Sequence, residues 1–378
     1  MKIVMLSNYF NHHQSTLSDA LWQQTGGNFH FVETGAMSPA RKALGYPEMQ
    51  RDYVLKFRDS SKVVRQLLWE ADVVIAGSAP ETLIRQRIKA GKLLFRCSER
   101  PLRKGPEPLK FLPRWIRWHW RNPGGKPIYL LCASAYAAED YEKFGLFRNR
   151  AFRWGYFPET KRYEDVDGLL EQKDGTEILW CGRFLDWKRP EDALAVARKL
   201  RQEGCRFRLN FLGSGEQEAN LVKLTADYDL GDCVRFLGTG SPEQVRSHME
   251  RAGIFLFTSD HREGWGAVVN EAMNSGCAVV AGSAAGAVPF LVEDGVNGVI
   301  YESGNREMLY EKVKTLLEHP QLQKQLGQRA YETITQTWNG ENAAKRLIRL
   351  AERILAADPP EAAFQDGPCS LAKAVKEK

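Results

Sequence analysis

Residues 259–277 read Ser-Asp-His-Arg-Glu-Gly-Trp-Gly-Ala-Val-Val-Asn-Glu-Ala-Met-Asn-Ser-Gly-Cys. The apolar run Ile254–Thr258 precedes them, so the stretch reads as a turn leading from a buried strand into a helix. Gly264-Trp265-Gly266 then presents backbone N–H groups at the positive end of that helix, an arrangement suited to anions. Glu263 and Glu271 bracket the turn, roughly 10 Å apart at about 1.5 Å of rise per residue. A sugar nucleotide offers hydroxyls at both ends and a diphosphate between them over a comparable span. Glu263 suits the sugar hydroxyls, Glu271 the ribose and the helix end the phosphates. A purely structural role stays open to each acid, Glu263 complementing the helix dipole and Glu271 solvated on the helix. The strand, the two glycines and the apolar flanks favour the functional reading.

Around this stretch, short apolar runs alternate with helix-length amphipathic runs, the pattern of parallel sheets covered by crossover helices. In the first half the predicted strands are Lys2–Leu6, Phe29–Val32, Val73–Ala76, Leu93–Cys97 and Ile128–Cys132. A polar loop, Ser7–Gln14, follows the first of them, and a helix ends near Gly26-Gly27. A second series starts afresh with strands Glu177–Cys181, Arg206–Leu212, Val234–Leu237, Ile254–Thr258 and Ala278–Ala281. The expected fold class is therefore α/β, with two Rossmann-like doubly wound domains facing a central cleft. The expected bounds are 1–157 for an N-terminal domain, 158–173 for a polar linker, 174–340 for a C-terminal domain that carries the sugar-nucleotide turn, and 341–378 for a final helix and a frayed tail. Ligands of such sheets bind beyond the carboxyl ends of the strands.

Two further turns lie at such ends. In Trp180-Cys181-Gly182-Arg183-Phe184-Leu185-Asp186-Trp187-Lys188-Arg189-Pro190, the proline followed by Glu191 and Asp192 marks a helix start. Arg183, Lys188 and Arg189 crowd its positive end, at an unfavourable ~0.3–1 kcal/mol each unless an anion shares the space. A solvated basic turn offset by Asp186 is the plainer alternative, heavier for Arg189 than for Lys188. Phe211-Leu212-Gly213-Ser214-Gly215-Glu216 runs a strand into a Gly-x-Gly turn, and Gly238-Thr239-Gly240 repeats the feature. Both lack the third glycine of a dinucleotide fingerprint. The donor-binding set is Glu271, Gly264, Trp265, Gly266, Val268, Gly215 and Phe236; the catalytic set is Glu263, Arg183 and Lys188.

Composition sets the class. The chain has 378 residues, 43% apolar and 26% charged, which fits a soluble globular protein and excludes a disordered or collagenous chain. The longest nearly apolar run, Ile128–Ala138, is shorter than the ~20 residues of a membrane span, and the N-terminal apolar run is too short for a signal-peptide core. Seven scattered cysteines without a C-x-x-C pair fit a reducing, cytoplasmic setting. Net charge is +6, yet Arg100–Lys126 alone carries eight Lys/Arg against Glu107. Within it, Arg114, Arg117 and Arg121 share one helical stripe, beside Trp115 and Trp118. A basic, tryptophan-rich helix of this kind suits an anionic membrane surface at the inner face; tryptophans packed on the domain under solvated arginines are the alternative. Asp165-Val166-Asp167 spells a metal-binding D-x-D, but in a polar linker, and no metal is expected. Nucleic acid is not an expected partner.

The Gly-Arg…Lys turn, the Leu-Gly-Ser-Gly-Glu turn, the Val-Arg-Phe-Leu-Gly strand end at 234–238, the Glu-x7-Glu element and Val292-Glu-Asp-Gly-Val-Asn-Gly298 come in this order. As a set, over about Glu177–Leu317, they resemble glycosyltransferase family 4, the glycosyl transferases group 1 family of GT-B fold. The resemblance implies a retaining transferase that takes a nucleotide-diphospho-sugar as substrate and needs neither metal nor cofactor. It implies that Arg183 and Lys188 hold the diphosphate, Glu263 the sugar and Glu271 the ribose, and that a final helix, Asn342–Ala357, returns to the first domain. The acceptor would be a glycan or a lipid-linked hydroxyl. The N-terminal half departs from the family pattern: Ser7-Asn8-Tyr9-Phe10-Asn11-His12-His13-Gln14 stands where many relatives have a glycine-rich loop, and Cys97-Ser98-Glu99-Arg100 where they often place a histidine. His12, His13 and Glu99 are the acceptor-side or cleft candidates, with loop histidines and a Glu99 paired to Arg100 or Arg103 as the plainer readings. A non-catalytic nucleotide-sugar or glycan-binding subunit of a membrane-associated assembly is the alternative function, and a sugar-nucleotide epimerase a further one.

Overall fold

A computed structural model describes residues 1–37, 49–105 and 107–375. They divide into two compact units, one built from Met1–Glu159 and the segment from Trp338 onward, the other from Thr160–Thr337.

The first unit holds seven strands: β1 Ile3–Ser7, β2 Phe29–Glu33, β3 Val54–Lys56, β4 Val73–Ala76, β5 Leu94–Ser98, β6 Ile128–Cys132 and β7 Ala151–Arg153. They pair in the order β3-β2-β1-β4-β5-β6-β7, every neighbour parallel. Because helices cover both faces, the central strands carry apolar residues at successive positions instead of alternating ones: β1 and β4 are buried throughout. Val4, Leu6, Val74, Ala76 and Leu94 form one side of the core.

The second unit contains β8 Asp174–Cys181, β9 Arg208–Leu212, β10 Val234–Phe236, β11 Ala252–Phe257, β12 Ala278–Gly282 and β13 Val299–Tyr301. Their order is β10-β9-β8-β11-β12-β13, again wholly parallel. Strands β11 and β12 are buried at every residue, and Ile178, Trp180, Leu209, Phe211, Ile254 and Leu256 anchor the core. Helix starts follow their local signals. Pro190 opens a helix to Gln202 with Glu191 and Asp192 in its first turn, and Ser241 with Gln244 closes a capping box on Pro242–Arg251.

The long helix Gly340–Leu355, capped by Asn339, buries Ala343, Ala344, Leu347, Leu350 and Ala351 on the 3–4 spacing of an amphipathic face. It belongs to the first unit. There it lies so close to the helix His12–Gln24 that a Cβ at Gly340 would stand 2.9 Å from the backbone nitrogen of Leu17.

Several expectations need correction. The histidines of the expected N-terminal loop already belong to a helix, His12–Gln24, because Asn11 caps it by accepting from the His13 N–H. The polar segment 158–173 contains a helix, Val166–Glu171, and Asp165 of the D-x-D caps it through the Gly168 N–H at 2.8 Å. The tail does not fray throughout: Leu371 pairs antiparallel with Phe152, Arg153 N–H donates to the Ser370 carbonyl and Ala372 N–H to that of Ala151, and Cys369 is fully buried. This segment supplies hydrogen-bond partners to the open edge of β7, which would otherwise be exposed. All seven cysteines are free thiols, and no helix among the described residues is long and apolar enough to cross a membrane.

Candidate functional site

The strand order of the second unit reverses direction between β8 and β11. In an open parallel sheet, the loops leaving the two strands on either side of such a reversal part to opposite faces and leave a crevice at their carboxyl ends. Here those loops are residues 182–189 and 258–266, the two that carry Arg183, Lys188 and Glu263.

Across that crevice the Lys188 ammonium donates to Glu263 Oε2 at 2.5 Å, with both side chains mostly buried, 14% and 17% exposed. Ser259 Oγ donates to the same carboxylate oxygen at 3.2 Å. Backbone placement comes from Thr258. Its hydroxyl donates to the Lys188 carbonyl at 2.6 Å and accepts from Trp180 Nε1 at 2.8 Å, tying the two loops to the buried sheet. Asp260 N–H adds a bond to the Trp187 carbonyl at 2.8 Å. Arg262 then bridges Asp260 at 2.7 Å and Asp186 at 2.9 Å, one acid from each loop. Arg189, at φ 49°, is engaged elsewhere: its guanidinium and that of Arg306 both pair with the buried Asp192 at 2.6 Å. Arg183 is exposed, and its guanidinium has no hydrogen-bond or ion-pair partner among the described residues. The two loops thus carry one exposed cation without a partner among the described residues and one cation paired with Glu263.

The helix Ala267–Asn274 starts at Gly266, whose φ is 97°, and no side chain caps it. A Cβ at Gly266 would lie 2.4 Å from the Phe257 ring, so only glycine lets the turn lie this close to the strand. Gly264 is buried; the Trp265 indole is fully buried and donates to Asn270 Oδ1 at 2.9 Å, so it anchors the turn. One turn later, Glu271 is half-buried beside Val268, and its carboxylate has no hydrogen-bond partner among the described residues. Burial, partly offset by Arg246, pushes that carboxyl up to about 7. The Cys181 thiol at the end of β8 senses both Glu271 and Lys188: burial first and Glu271 second push it up to about 12, while Lys188 opposes them. Glu271, Lys188 and Glu263 therefore share one electrostatic neighbourhood.

Gly215 and Phe236 complete the set on the β9–β10 side. A Cβ at Gly213 would stand 1.9 Å from the Gly182 carbonyl oxygen, so the glycine turn after β9 presses against the loop that carries Arg183. Phe184 N–H donates to the Ser214 carbonyl at 2.9 Å, and Gly215 would meet Phe184 backbone if it carried a Cβ. The half-buried Phe236 stacks on Phe211 at 5.3 Å.

The remaining candidates lie in the first unit, where the strand order reverses between β1 and β4. His12 and His13 follow β1, their rings 3.9 Å apart, and burial lowers the His12 pKa. Glu99 follows β5 and is committed to neighbours: it accepts from the Tyr156 hydroxyl at 2.5 Å and from Arg103 at 3.0 Å. Arg100 instead turns inward to the buried Asp140 at 3.3 Å. Arg114 pairs with Glu107, Arg117 and Trp115 are exposed, and Trp118 is buried. The expectation that Trp118 faces outward is corrected, because it packs edge-on against Phe144 and beside Tyr141.

Thr258, Ser259 and Arg262 were not among the sequence candidates. Two consecutive hydroxyl residues closing an apolar strand, followed by an arginine between acids of two turns, are the signal that could have found them.

Residues 162–333 match the glycosyl transferases group 1 family. The chain carries a glycosyl transferases group 1 domain. Among curated relatives of this domain, the amylovoran biosynthesis glycosyltransferase AmsK of Erwinia amylovora is 32% identical over 162 residues, 42% of this chain and 39% of AmsK. The putative colanic acid biosynthesis glycosyltransferase WcaL of Salmonella typhimurium is 27% identical over 185 residues, 47% of this chain and 45% of WcaL. The chain thus spans less than half the length of these two relatives. A crystal structure of HepE from Anabaena in complex with UDP superposes with a TM-score of 0.67 over 94% of this chain and all of HepE, at 17% identity. The group 1 domain is the second of two Rossmann-like units in a GT-B fold.

Proposed function

We propose that the chain is a retaining glycosyltransferase that moves a sugar from a nucleotide-diphospho-sugar to an acceptor hydroxyl in the assembly of a cell-surface or capsular polysaccharide or glycoconjugate. The observation that carries this reading is the Lys188–Glu263 pair at the β8/β11 crevice, flanked by the unpaired Arg183 and an uncapped helix end. Names of the matched relatives that refer to polysaccharide biosynthesis, and the UDP held by HepE, support it.

Each residue has a definite task. An incoming diphosphate competes with Glu263 for the Lys188 ammonium and takes the free Arg183 guanidinium, with backbone N–H groups of residues 264–267 facing the same charge. Released from Lys188, the Glu263 carboxylate accepts hydrogen bonds from hydroxyls of the donor sugar. Glu271 accepts from the ribose diol. Phe236 and the glycine turn at 213–215 border the nucleoside.

As the bond from the anomeric carbon to the diphosphate breaks, negative charge grows on the departing oxygen. The acceptor hydroxyl attacks from the same face and gives its proton to that phosphate, so no protein nucleophile is needed. Rate then comes from positioning and from preorganised positive charge around the leaving group. We place the enzyme at the cytoplasmic face of the membrane, with a glycan or lipid-linked acceptor and no further cofactor.

A thermal-shift screen of UDP, GDP, ADP and their sugars tests the donor class, since a ligand at 100 times its Kd stabilises the native state by about 2.7 kcal/mol. Transfer with the responding donor, lost in Lys188→Ala and Glu263→Ala while both stay folded, is the expected result. Full turnover in both variants contradicts the assignment, and donor binding without any transfer makes the chain a binding subunit.

A further inference from the structure

The helix Phe111–Arg121 of the first unit carries apolar side chains on two opposite faces. At about 100° per residue, Phe111 and Trp118 fall together on the inner face, where both rings lie against Phe144. Leu112, Ile116 and Trp120 fall on the face diametrically opposed to Trp118 and are 64%, 56% and 53% exposed; Leu109, in the preceding turn, is 96% exposed. Half of the large apolar side chains that stand exposed among the described residues lie between Leu109 and Trp120. A helix docked by one apolar stripe ordinarily turns polar groups to water, and a contiguous apolar ridge marks a surface built to be covered.

Charge around the ridge has one dominant sign. Lys104, Lys110 and Arg117 are exposed, and Arg117 has no ion-pair partner among the described residues. The Arg85 guanidinium lies 3.6 Å over the Trp120 ring. The nearby acids, Glu107 and Glu81, are already held by Lys110 and Arg114 and by Arg96 and Arg121.

We propose that this face docks on an anionic lipid bilayer, with Leu109, Leu112, Ile116 and Trp120 sinking into the headgroup boundary while Lys110 and Arg117 meet lipid phosphates. The helix is about 16 Å long at 1.5 Å per residue, half of what a span requires, so it lies in the interface. A second copy of the chain is a poor occupant: a two-fold contact through this ridge would set one cationic rim against another. This set replaces the sequence expectation that Arg114 and Trp118 make the contact: Arg114 lies against Glu107 with its side chain only 20% exposed, whereas Lys110 shares that acid at 65% exposure, and Trp118 is buried. The inference is independent of the donor assignment, because vesicle binding requires no nucleotide.

Cosedimentation of the full chain with vesicles of phosphatidylcholine alone, or mixed with phosphatidylglycerol, tests it. The protein should bind the mixed vesicles, release them as salt rises, and leave the neutral ones in solution. Leu112→Ser with Ile116→Ser, and separately Lys110→Glu with Arg117→Glu, should each weaken binding by about tenfold or more, at an unchanged melting temperature because these side chains are exposed. No binding to anionic vesicles, equal binding to neutral ones, or equal binding by folded variants overturns the proposal. A concentration-dependent dimer lost in Leu112→Ser with Ile116→Ser, without vesicle binding, overturns it in favour of a second copy.

Discussion

The two units share a parallel doubly wound sheet with a reversal of strand order, yet they use the crevice at that reversal differently. In the second unit the loops after β8 and β11 meet through Lys188 and Glu263, are braced by Thr258 and Arg262, and leave Arg183 free. In the first unit the acids at the strand ends are bound at home: Glu33, in register with Ser7 of β1, accepts from the Phe10 N–H at 2.7 Å, and Glu99, after β5, accepts from Tyr156 and Arg103. A side chain whose hydrogen bonds are satisfied at home contributes to the fold, whereas a cation without a partner on a loop that leads into a helix N-terminus has unfavourable electrostatics. The difference is the one on which the proposed donor site rests.

The largest effect that would sharpen this contrast is expected at the paired charges. Lys188→Ala or Glu263→Ala should lower transfer by ~10²–10³, measured as kcat/KM with the responding donor, whereas a loss confined to the melting temperature would make the pair structural. Next in size is Gly213→Ala. Its Cβ would collide with the Gly182 carbonyl at 1.9 Å, at φ 147°, so chemical denaturation should show a loss of about 1–3 kcal/mol, accompanied by weaker nucleotide binding. Unchanged stability would mean that the loops are not pressed together.

A pH dependence comes from Glu271. Its carboxyl titrates near 7 in the fold against 4.5 ordinarily, so the native state holds an extra proton between those values. Its contribution to stability is therefore full below about 4.5 and is lost as pH rises through 7. Glu271→Gln stays neutral and should be more stable than the wild type at pH 8 but not at pH 4, by the order of 1–2 kcal/mol in chemical denaturation. Because a ribose diol donates to the ionised carboxylate, nucleotide affinity should rise from pH 6 to pH 8 in the wild type and stay flat in the variant. A wild-type profile equally flat would remove Glu271 from the site. The smallest effect belongs to the first unit: Glu99→Ala should cost about 1 kcal/mol of stability through its lost hydrogen bonds and leave nucleotide affinity unchanged. A fall in that affinity would break the contrast between the units.

How much could be read in the sequence follows the same division. Buried strands such as Val73–Ala76 and Ile128–Cys132 are continuous apolar runs between turn residues, and the structure has them at those bounds. Among the three-residue strands, β10 was legible as Val234–Leu237, whereas β3, β7 and β13 show no period of their own and pair at the edge of a neighbouring strand. The docking of residues 369–372 on β7 likewise depends on a partner about 220 residues away in the chain, a long-range contact that no local pattern encodes. In the second unit, glycines and charges spaced around strand ends marked the turns that the structure has after β8, β9 and β11, because such turns constrain backbone and sequence together. Which charge pairs with which was not legible: Arg189 and Lys188 are adjacent, yet one is fixed to Asp192 and the other to Glu263 by the opposite directions in which their side chains leave the turn. Trp118 was misplaced because a helix with apolar residues on two faces has no unique inward side until Phe144 and Tyr141 are placed beside it.

Calorimetric titration of the full chain with UDP, GDP and ADP, in the wild type and in the Arg183→Ala with Lys188→Ala double variant, tests the proposed diphosphate site at the β8/β11 crevice most directly. One nucleoside diphosphate should bind the wild type with a stoichiometry of one, and the double variant should lose about tenfold or more of that affinity while remaining folded. Equal affinity in both proteins, or no heat from any of the three nucleotides, would contradict it.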